Sequence, residues 1–137
     1  MTNFSIKCHK TGTTYSKPHF FILNKGINCG KPSKEPFTNS FVFSCDSNFD
    51  TYFFIAKCLW ETKFWHQFLI GSVIPFIHIN DFKKEFNKKA IASNLDENKL
   101  QKGLETLSIL ENQEIQFTKY LIQINEFRKS LLFSYIK

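Results

Sequence analysis

The chain has 137 residues, of which 42% are hydrophobic, and it carries a formal net charge of +6. This length supplies the core of one domain and excludes two domains of ordinary size. The longest apolar run, residues 68–79, is interrupted by Gly71 and Pro75 and is shorter than the roughly 20 residues that a membrane-spanning helix needs. The first ten residues lack the apolar stretch of a signal peptide. We therefore expect a cytoplasmic protein with no membrane contact.

The N-terminal third is predicted to consist of strands and turns. Phe4–Cys8 alternates polar and apolar residues, and His19–Leu23 is rich in aromatic and β-branched side chains. A third strand is predicted at Ser40–Cys45. Between them, residues 24–36 contain two glycines and two prolines, which disfavour a helix or a central strand.

Helices are predicted to follow the strands. Ser47 is the expected N-cap of a helix over residues 48–61, with Asp50 in capping-box position. Residues 63–70 either continue this helix or form a second short one. Residues 73–79 favour a strand because their valine and isoleucines are β-branched, and Pro75 restricts such a strand to an edge or a bulge.

Two further helical regions complete the prediction. Asn80 or Asp81 is the expected cap of a helix that runs to about residue 92 with four lysines on its outer face, and Ser93 with Asp96 caps the next helix. Leucines spaced by three or four residues form one apolar stripe before Asn112, and a similar stripe follows it. We therefore predict an α+β fold: a small N-terminal antiparallel sheet packed by helices, with a C-terminal antiparallel helical hairpin, in a single domain of residues 1–137.

The positive charge is concentrated near the N-terminus. Residues 1–45 contain six lysines and a single carboxylate, Glu35, and the remaining 92 residues carry a net charge of only +1. Such a surface attracts phosphates or an acidic protein, although solubilising surface charge is the alternative interpretation. The candidate binding lysines are Lys7, Lys10, Lys17, Lys25, Lys31 and Lys34.

Two tryptophans complete the candidate binding site. Trp60 shares a helical face with Phe64, and Trp65 shares another with Phe68. These rings belong either to the core or to a binding surface. An exposed tryptophan would anchor a protein partner or stack on an unpaired base.

No catalytic or metal site is predicted. The four cysteines include no Cys-x-x-Cys pair, so the zinc-ribbon spacing is absent. Gly30-Lys31 is followed by Pro32 instead of the Ser or Thr of a phosphate-binding loop. We expect a protein that is not an enzyme, has no cofactor and acts on no small-molecule substrate.

Several segments resemble a family of uncharacterised small proteins found on bacterial mobile elements. The resemblance covers roughly residues 17–85 and implies no catalytic residues. The segments that carry it are His19-Phe20-Phe21-Ile22-Leu23-Asn24-Lys25-Gly26, Gly30-Lys31-Pro32, Glu35-Pro36, Asn39 with Phe41-Val42, Leu59-Trp60, Lys63-Phe64, Phe68-Leu69 and Gly71-Ser72-Val73-Ile74-Pro75-Phe76-Ile77.

The resemblance implies a setting in which small basic proteins disable host defences. On that basis the chain looks like an anti-CRISPR protein that binds a type VI RNA-guided nuclease or its guide RNA and blocks productive assembly. The alternative is a DNA- or RNA-binding accessory protein of a conjugative element. A third hypothesis is a protein–protein module built on residues 60–68. The expected partners are a CRISPR effector protein, a guide RNA, or both, and the oligomeric state is left open.

Overall fold

The computed structural model describes residues 3–137. Two compact units divide the chain, the first ending at Leu95 and the second running from Asp96 to Lys137. The elements in chain order are β1 (Phe4–Cys8), β2 (His19–Leu23), β3 (Pro32–Ser33), β4 (Ser40–Cys45), α1 (Phe49–Glu61), a 3₁₀ helix (Phe64–Phe68), α2 (Ile79–Ala92) and α3 (Glu97–Ile136).

The four strands form one antiparallel sheet in the order β1-β4-β2-β3. Phe43 at the centre of β4 lies opposite Ile6 on β1 and Phe20 on β2. Side chains alternate between the two faces of a sheet, so this row marks the inner face. The three predicted strands are confirmed. The structure adds β3, a two-residue edge strand within residues 24–36, where the sequence disfavours a central strand.

Helices α1 and α2 cover the inner face and close a core rich in phenylalanine. The rings of Phe20 and Phe43 stack with centroids 4.5 Å apart, and Phe86 meets Phe43 edge-on at 5.2 Å. Each fully buried Phe contributes about 1.5–3 kcal/mol through the removal of apolar surface from water. The buried core residues are Ile6, Phe20, Ile22, Cys29, Phe41, Phe43, Cys45, Ile55, Ala56, Leu59, Trp65, Ile77, Phe82 and Phe86.

Helix α1 lies where it is predicted, but its first turn differs. The N-cap is Asn48 in the left-handed conformation with φ 61°, and its side chain makes no capping hydrogen bond. The prediction of Ser47 as the cap is therefore wrong by one residue. Lys63 also has a positive φ of 58°, and the reversal at this residue separates α1 from the short 3₁₀ helix.

The predicted strand over residues 73–79 is wrong. The backbone of Ile70 exchanges two hydrogen bonds with Phe76, at 2.9 and 2.8 Å, and this isolated bridge closes a tight loop. Val73 and Ile74 are at its tip and are exposed. Gly71 adopts φ 103°, a value that L-residues rarely reach, and Pro75 has no N–H for a ladder. The β-branched side chains therefore lie in a loop.

Helix α2 confirms the prediction closely and presents its lysines to solvent, but its start differs. The N-cap is His78, so Asn80 and Asp81 lie inside the first turn. At its other end Ser93 caps the C-terminus of α2, and its hydroxyl donates to the Ala90 carbonyl. The prediction that Ser93 begins the next helix is wrong.

The C-terminal hairpin is also wrong, because α3 is one continuous helix of 40 residues. Asp96 is its N-cap and accepts a hydrogen bond of 2.8 Å from the Lys99 amide. The chain has no glycine or proline after Gly103, so nothing interrupts the backbone hydrogen bonds at Asn112. The α+β class is confirmed, whereas the single domain of residues 1–137 stays a prediction. Within residues 3–137, no helix combines the length and apolarity of a membrane crossing.

Candidate nucleic-acid interface

The net positive charge belongs to the first of the two units. Residues 1–95 contain twelve lysines and six carboxylates, whereas residues 96–137 contain six basic and six acidic residues. The first unit therefore carries the whole net charge of +6 and the second carries none. Long-range attraction of a polyanion acts on the sheet and its two covering helices.

The six early lysines do not gather into one surface. Lys7 is on β1 and Lys31 precedes β3, and these strands are the two opposite edges of the sheet. Neighbouring strands are about 4.8 Å apart, so roughly 14 Å separates the edges. Lys17 forms an ion pair of 2.8 Å with Asp46, and Lys25 follows β2, where its backbone forms an isolated β-bridge with the backbone of Phe76.

The six candidate binding lysines, which are close together in the sequence, therefore do not form a single basic face. The physical reason is the strand order, which places the first strand of the chain and β3 on opposite edges. Another early lysine, Lys10, lies in the turn that follows β1, where its carbonyl accepts from the Thr13 amide.

Two of the lysines and one of the tryptophans do come together. Helix α1 packs beside β3, and the Lys31 ammonium lies 5.3 Å from the centroid of the Trp60 ring. Lys34 lies 5.8 Å from the centroid of Phe53. Phe53 and Trp60 are seven residues apart and so lie on one face of α1. We call Lys31, Lys34, Phe53 and Trp60 the Lys–aromatic strip.

A cleft of about 270 Å³ opens at the Trp60 end of the strip. Its volume is below the roughly 300–1,000 Å³ of small-molecule sites, and a single planar ring is a better match than a whole cofactor. Glu61 is the one carboxylate in a lining that is otherwise neutral or basic. The lining residues are Ile27, Asn28, Trp60, Glu61, Lys63 and His66.

Trp65 is not part of this surface, so the prediction that it contacts a partner is wrong. The residue is 1% exposed, and its ring stacks on Phe82 with centroids 4.4 Å apart. Its Nε1 is buried and has no hydrogen-bond partner among the described residues. Trp60 is partly exposed, and it is the tryptophan that remains available to a ligand.

A second basic groove runs along the opposite edge of the sheet, between β1 and α2. Lys7 faces Lys83 and Lys84 across a volume of about 600 Å³, and the amides of Asn80 and Asn87 also line it. The sequence placed Lys83 and Lys84 on a solvent face without assigning them a role. Four lysines within residues 83–89 were the available signal.

The outer face of the sheet is covered by an aromatic cluster. His9 Nδ1 and the Tyr15 hydroxyl are 2.8 Å apart, and His9, Tyr15 and His19 all pack against Phe21. Phe21 is 4% exposed. The cluster therefore shields a buried ring on the face that the helices leave open.

The cysteines are held as thiols. Burial raises the pKa of Cys29 from 9.0 to about 11, and burial also raises the pKa of Cys45. All four side chains are free thiols. Among the described residues, no group of three or more His, Cys, Asp or Glu side chains is placed to hold a metal ion.

One protein-family model matches residues 6–134, and it describes a family of unknown function, DUF6943. The chain belongs to the DUF6943 family. The match extends beyond residues 17–85, which carry the resemblance, and includes most of α3. No curated protein and no solved structure matches this DUF6943 chain significantly.

Proposed function

We propose that this DUF6943 chain binds single-stranded nucleic acid on the Lys–aromatic strip. One observation carries the proposal: Lys31, the residue just before the edge strand β3, lies against the partly exposed ring of Trp60. Proteins that bind single strands combine a positive track for the phosphates with aromatic rings on which bases stack. The strip has both components within one short surface.

The two lysines and the Trp60 indole contact different parts of the nucleic acid. Lys31 and Lys34 attract phosphates as point charges, and the Trp60 ring supports a base at the mouth of the cleft. Base–aromatic stacking contributes about 1–3 kcal/mol per base. Because every base has a π-face and the lysines contact phosphates as point charges on flexible stems, we expect binding to tolerate many sequences.

The edge strand favours contact through side chains instead of strand addition. β3 has two residues, and Pro32 has no N–H to donate. A short edge strand that contains proline resists pairing with another strand. The strip therefore offers charge and ring surface, which suits a nucleic acid strand better than an extended peptide.

The finer hypothesis is an anti-CRISPR activity, in which the chain binds a type VI effector or its guide RNA. This hypothesis rests on the size and charge of the chain and on its resemblance to mobile-element proteins. The Lys–aromatic strip supports it because a guide RNA offers phosphates and unpaired bases. Its test is target-RNA cleavage by a purified effector and guide with increasing amounts of the protein. Full cleavage at a tenfold excess would exclude it for that effector and would leave nucleic-acid binding untouched.

The alternative role is an accessory protein of a conjugative element, which needs no effector. It requires direct binding to bare RNA or DNA at physiological salt. Comparing 12-nucleotide RNA and DNA of the same sequence distinguishes the two uses, because a guide-RNA binder prefers the RNA.

Binding itself is tested by fluorescence anisotropy with a labelled 12-nucleotide oligouridine and a duplex of equal length. We expect tighter binding to the single strand and an affinity that falls with salt. Two lysine–phosphate contacts predict a slope of log K against log salt of roughly −1.4.

The matched control is a second double charge reversal on the same unit. Lys31→Glu with Lys34→Glu should abolish binding, whereas Lys83→Glu with Lys84→Glu changes the net charge equally and should weaken it only modestly. Equal losses in both variants would contradict the strip, and no binding by the wild-type protein at 50 mM salt would contradict the function.

A further inference from the structure

Helix α3 presents an extensive apolar surface. No residue of α3 is buried, and fourteen large apolar side chains between residues 109 and 136 are each more than half exposed. Monomeric soluble proteins rarely expose contiguous apolar patches larger than a few hundred Å². These side chains are Ile109, Leu110, Ile115, Phe117, Tyr120, Leu121, Ile122, Ile124, Phe127, Leu131, Leu132, Phe133, Tyr135 and Ile136.

A regular ladder runs through this surface. Eight positions from Leu110 to Tyr135 are spaced alternately by four and three residues, which is the spacing of the core positions of a coiled coil. Six of them are apolar, and Glu114 and Arg128 are the two exceptions. The ladder is Leu110, Glu114, Phe117, Leu121, Ile124, Arg128, Leu131 and Tyr135.

We propose that α3 pairs with α3 of a second copy of this chain in an antiparallel coiled coil centred between Leu121 and Ile124. The spacing of the ladder supplies the knobs-into-holes seam. A two-fold symmetric interface uses the same surface on both copies, so one sequence needs to be complementary only to itself. This assembly is separate from nucleic-acid binding by the first unit.

The two charged ladder positions determine the direction of pairing. A parallel pair would place Glu114 against Glu114 and Arg128 against Arg128 within the seam, and buried like charges are strongly unfavourable. Neither residue forms an ion pair among the described residues. Glu114 and Arg128 lie seven residues before and after Leu121. An antiparallel partner helix therefore brings these opposite charges close to each other.

Antiparallel overlap of residues 109–136 with themselves satisfies these charges. Glu114 of one copy then lies about three residues along the axis from Arg128 of the second, or about 4.5 Å at 1.5 Å per residue. Long side chains span that offset. The same overlap brings Phe117 level with Arg128 of the second copy, where the ring and the guanidinium attract each other.

The charge of the two halves of the helix agrees with this direction. Residues 97–116 contain four glutamates and two lysines, and residues 117–136 contain three basic residues and one glutamate. The halves therefore carry −2 and +2. Antiparallel pairing places each acidic half beside a basic half, whereas parallel pairing places like beside like.

The available area is sufficient for a stable pair. Fourteen half-exposed side chains of this size offer on the order of 100 Å² each, because a whole aromatic side chain buries about 150–250 Å². A standard interface needs about 800 Å² per partner. Burial of little more than half of the apolar surface would reach that value.

Sedimentation velocity of the full chain between 1 and 200 µM tests the pairing. We expect a mass near twice 16.1 kDa. Leu121→Asp should give a monomer, and Gln123→Asp, which adds the same charge on the polar side of α3, should leave the dimer intact. A wild-type monomer at 200 µM, or equal effects of the two variants, would overturn the proposal.

Direction is tested separately by neutralising one ladder charge. Glu114→Gln removes an attraction in the antiparallel pair and should weaken dimerisation by about threefold to tenfold. In a parallel pair it would relieve a repulsion and strengthen dimerisation, which would overturn the antiparallel arrangement. The exchange Glu114→Arg with Arg128→Glu should restore the wild-type affinity, and circular dichroism checks that each variant stays helical.

Disulfide trapping gives a second readout of direction. In a background with Cys8→Ser and Cys58→Ser, which removes the exposed thiols, chains carrying Leu110→Cys are mixed with chains carrying Tyr135→Cys. Antiparallel pairing predicts the mixed disulfide as the main product. If the mixture gave only the two homodisulfides, each joining two copies of the same variant, and no mixed disulfide, the antiparallel arrangement would be overturned.

Discussion

Gly30 lies directly against the indole of Trp65, and a β-carbon at this position would overlap Cδ1 of the ring. The contact ties the loop before β3 to the 3₁₀ helix. Lys31 follows Gly30 in the chain and reaches the Trp60 ring. The packing of Trp65 against Gly30 therefore positions Lys31, which in turn contacts the partly exposed ring of Trp60.

Gly30→Ala should destabilise the protein by about 2–5 kcal/mol. The residue has φ 93°, which costs an L-residue about 1–2 kcal/mol, and overpacking in a core adds about 1–3 kcal/mol. Gly12→Ala is the matched control, because Gly12 has φ 87° with nothing within 4 Å of the added carbon. Urea unfolding should show a loss of only about 1 kcal/mol for the control. Equal losses would mean that the contact with Trp65 is unimportant.

The two tryptophans should respond differently to quenchers. Trp65 is buried and should emit at short wavelength without quenching by acrylamide, whereas the partly exposed Trp60 should be quenched. Bound oligouridine should reduce only the accessible component. Trp60→Phe should remove that response while keeping the fold, and a response that survives in this variant would contradict base stacking on Trp60.

Stability should fall at alkaline pH through Cys29. Burial raises the pKa of its thiol to about 11, against 9.0 in an exposed thiol, so the folded state retains the proton longer than the unfolded state. The stabilisation is complete below pH 9 and is lost as the pH rises from 9 to 11, by about 2 kcal/mol. Urea unfolding in reductant at pH 8 and pH 10.5 measures the change. Cys29→Ala should show a smaller loss, and an equal loss would contradict the assignment.

The start of α3 should depend on Asp96 and not on Ser93. The Asp96 carboxylate accepts from the Lys99 amide, and loss of such a cap costs about 1 kcal/mol. Asp96→Ala should therefore speed amide hydrogen exchange over residues 97–99. Ser93→Ala leaves the cap in place and should have little effect on those amides. The opposite order would restore the prediction that was made from sequence.

Sequence patterns predicted the sheet well because alternation and burial act together there. His19–Leu23 and Ser40–Cys45 are apolar strands at the two central positions of the sheet, and both are buried along most of their length. The strand expected near Pro75 failed for the opposite reason. Its β-branched residues favour extended backbone, but a glycine with positive φ and the proline leave Val73 and Ile74 in a loop.

The C-terminal hairpin failed because Asn112 is a weak break. Asparagine disfavours a helix by less than about 1 kcal/mol relative to alanine. A turn between two helices needs stronger helix breakers, such as glycine or proline. The apolar residues on either side of Asn112 belong to this one helix, but the spacing also predicted a buried stripe, and no residue of α3 is buried. Their continuity across one helix was visible only in the backbone.

The candidate site was predicted in part. Lys31, Lys34 and Trp60 come together, whereas Lys7 lies on the opposite edge and Trp65 is buried. Local sequence patterns do not predict which lysines share an edge of the sheet or which of the two tryptophans is buried. Both are determined by tertiary packing. Charge counted along the chain does not reveal which lysines share a face.

Photo-crosslinking with a 4-thiouridine oligonucleotide, followed by mass spectrometry of the attached peptides, locates the bound strand directly. Binding on the Lys–aromatic strip predicts crosslinks to Trp60 and to the peptide that contains Lys31 and Lys34, with loss of the signal at high salt. Crosslinks confined to Lys83 and Lys84, or to α3, would contradict it.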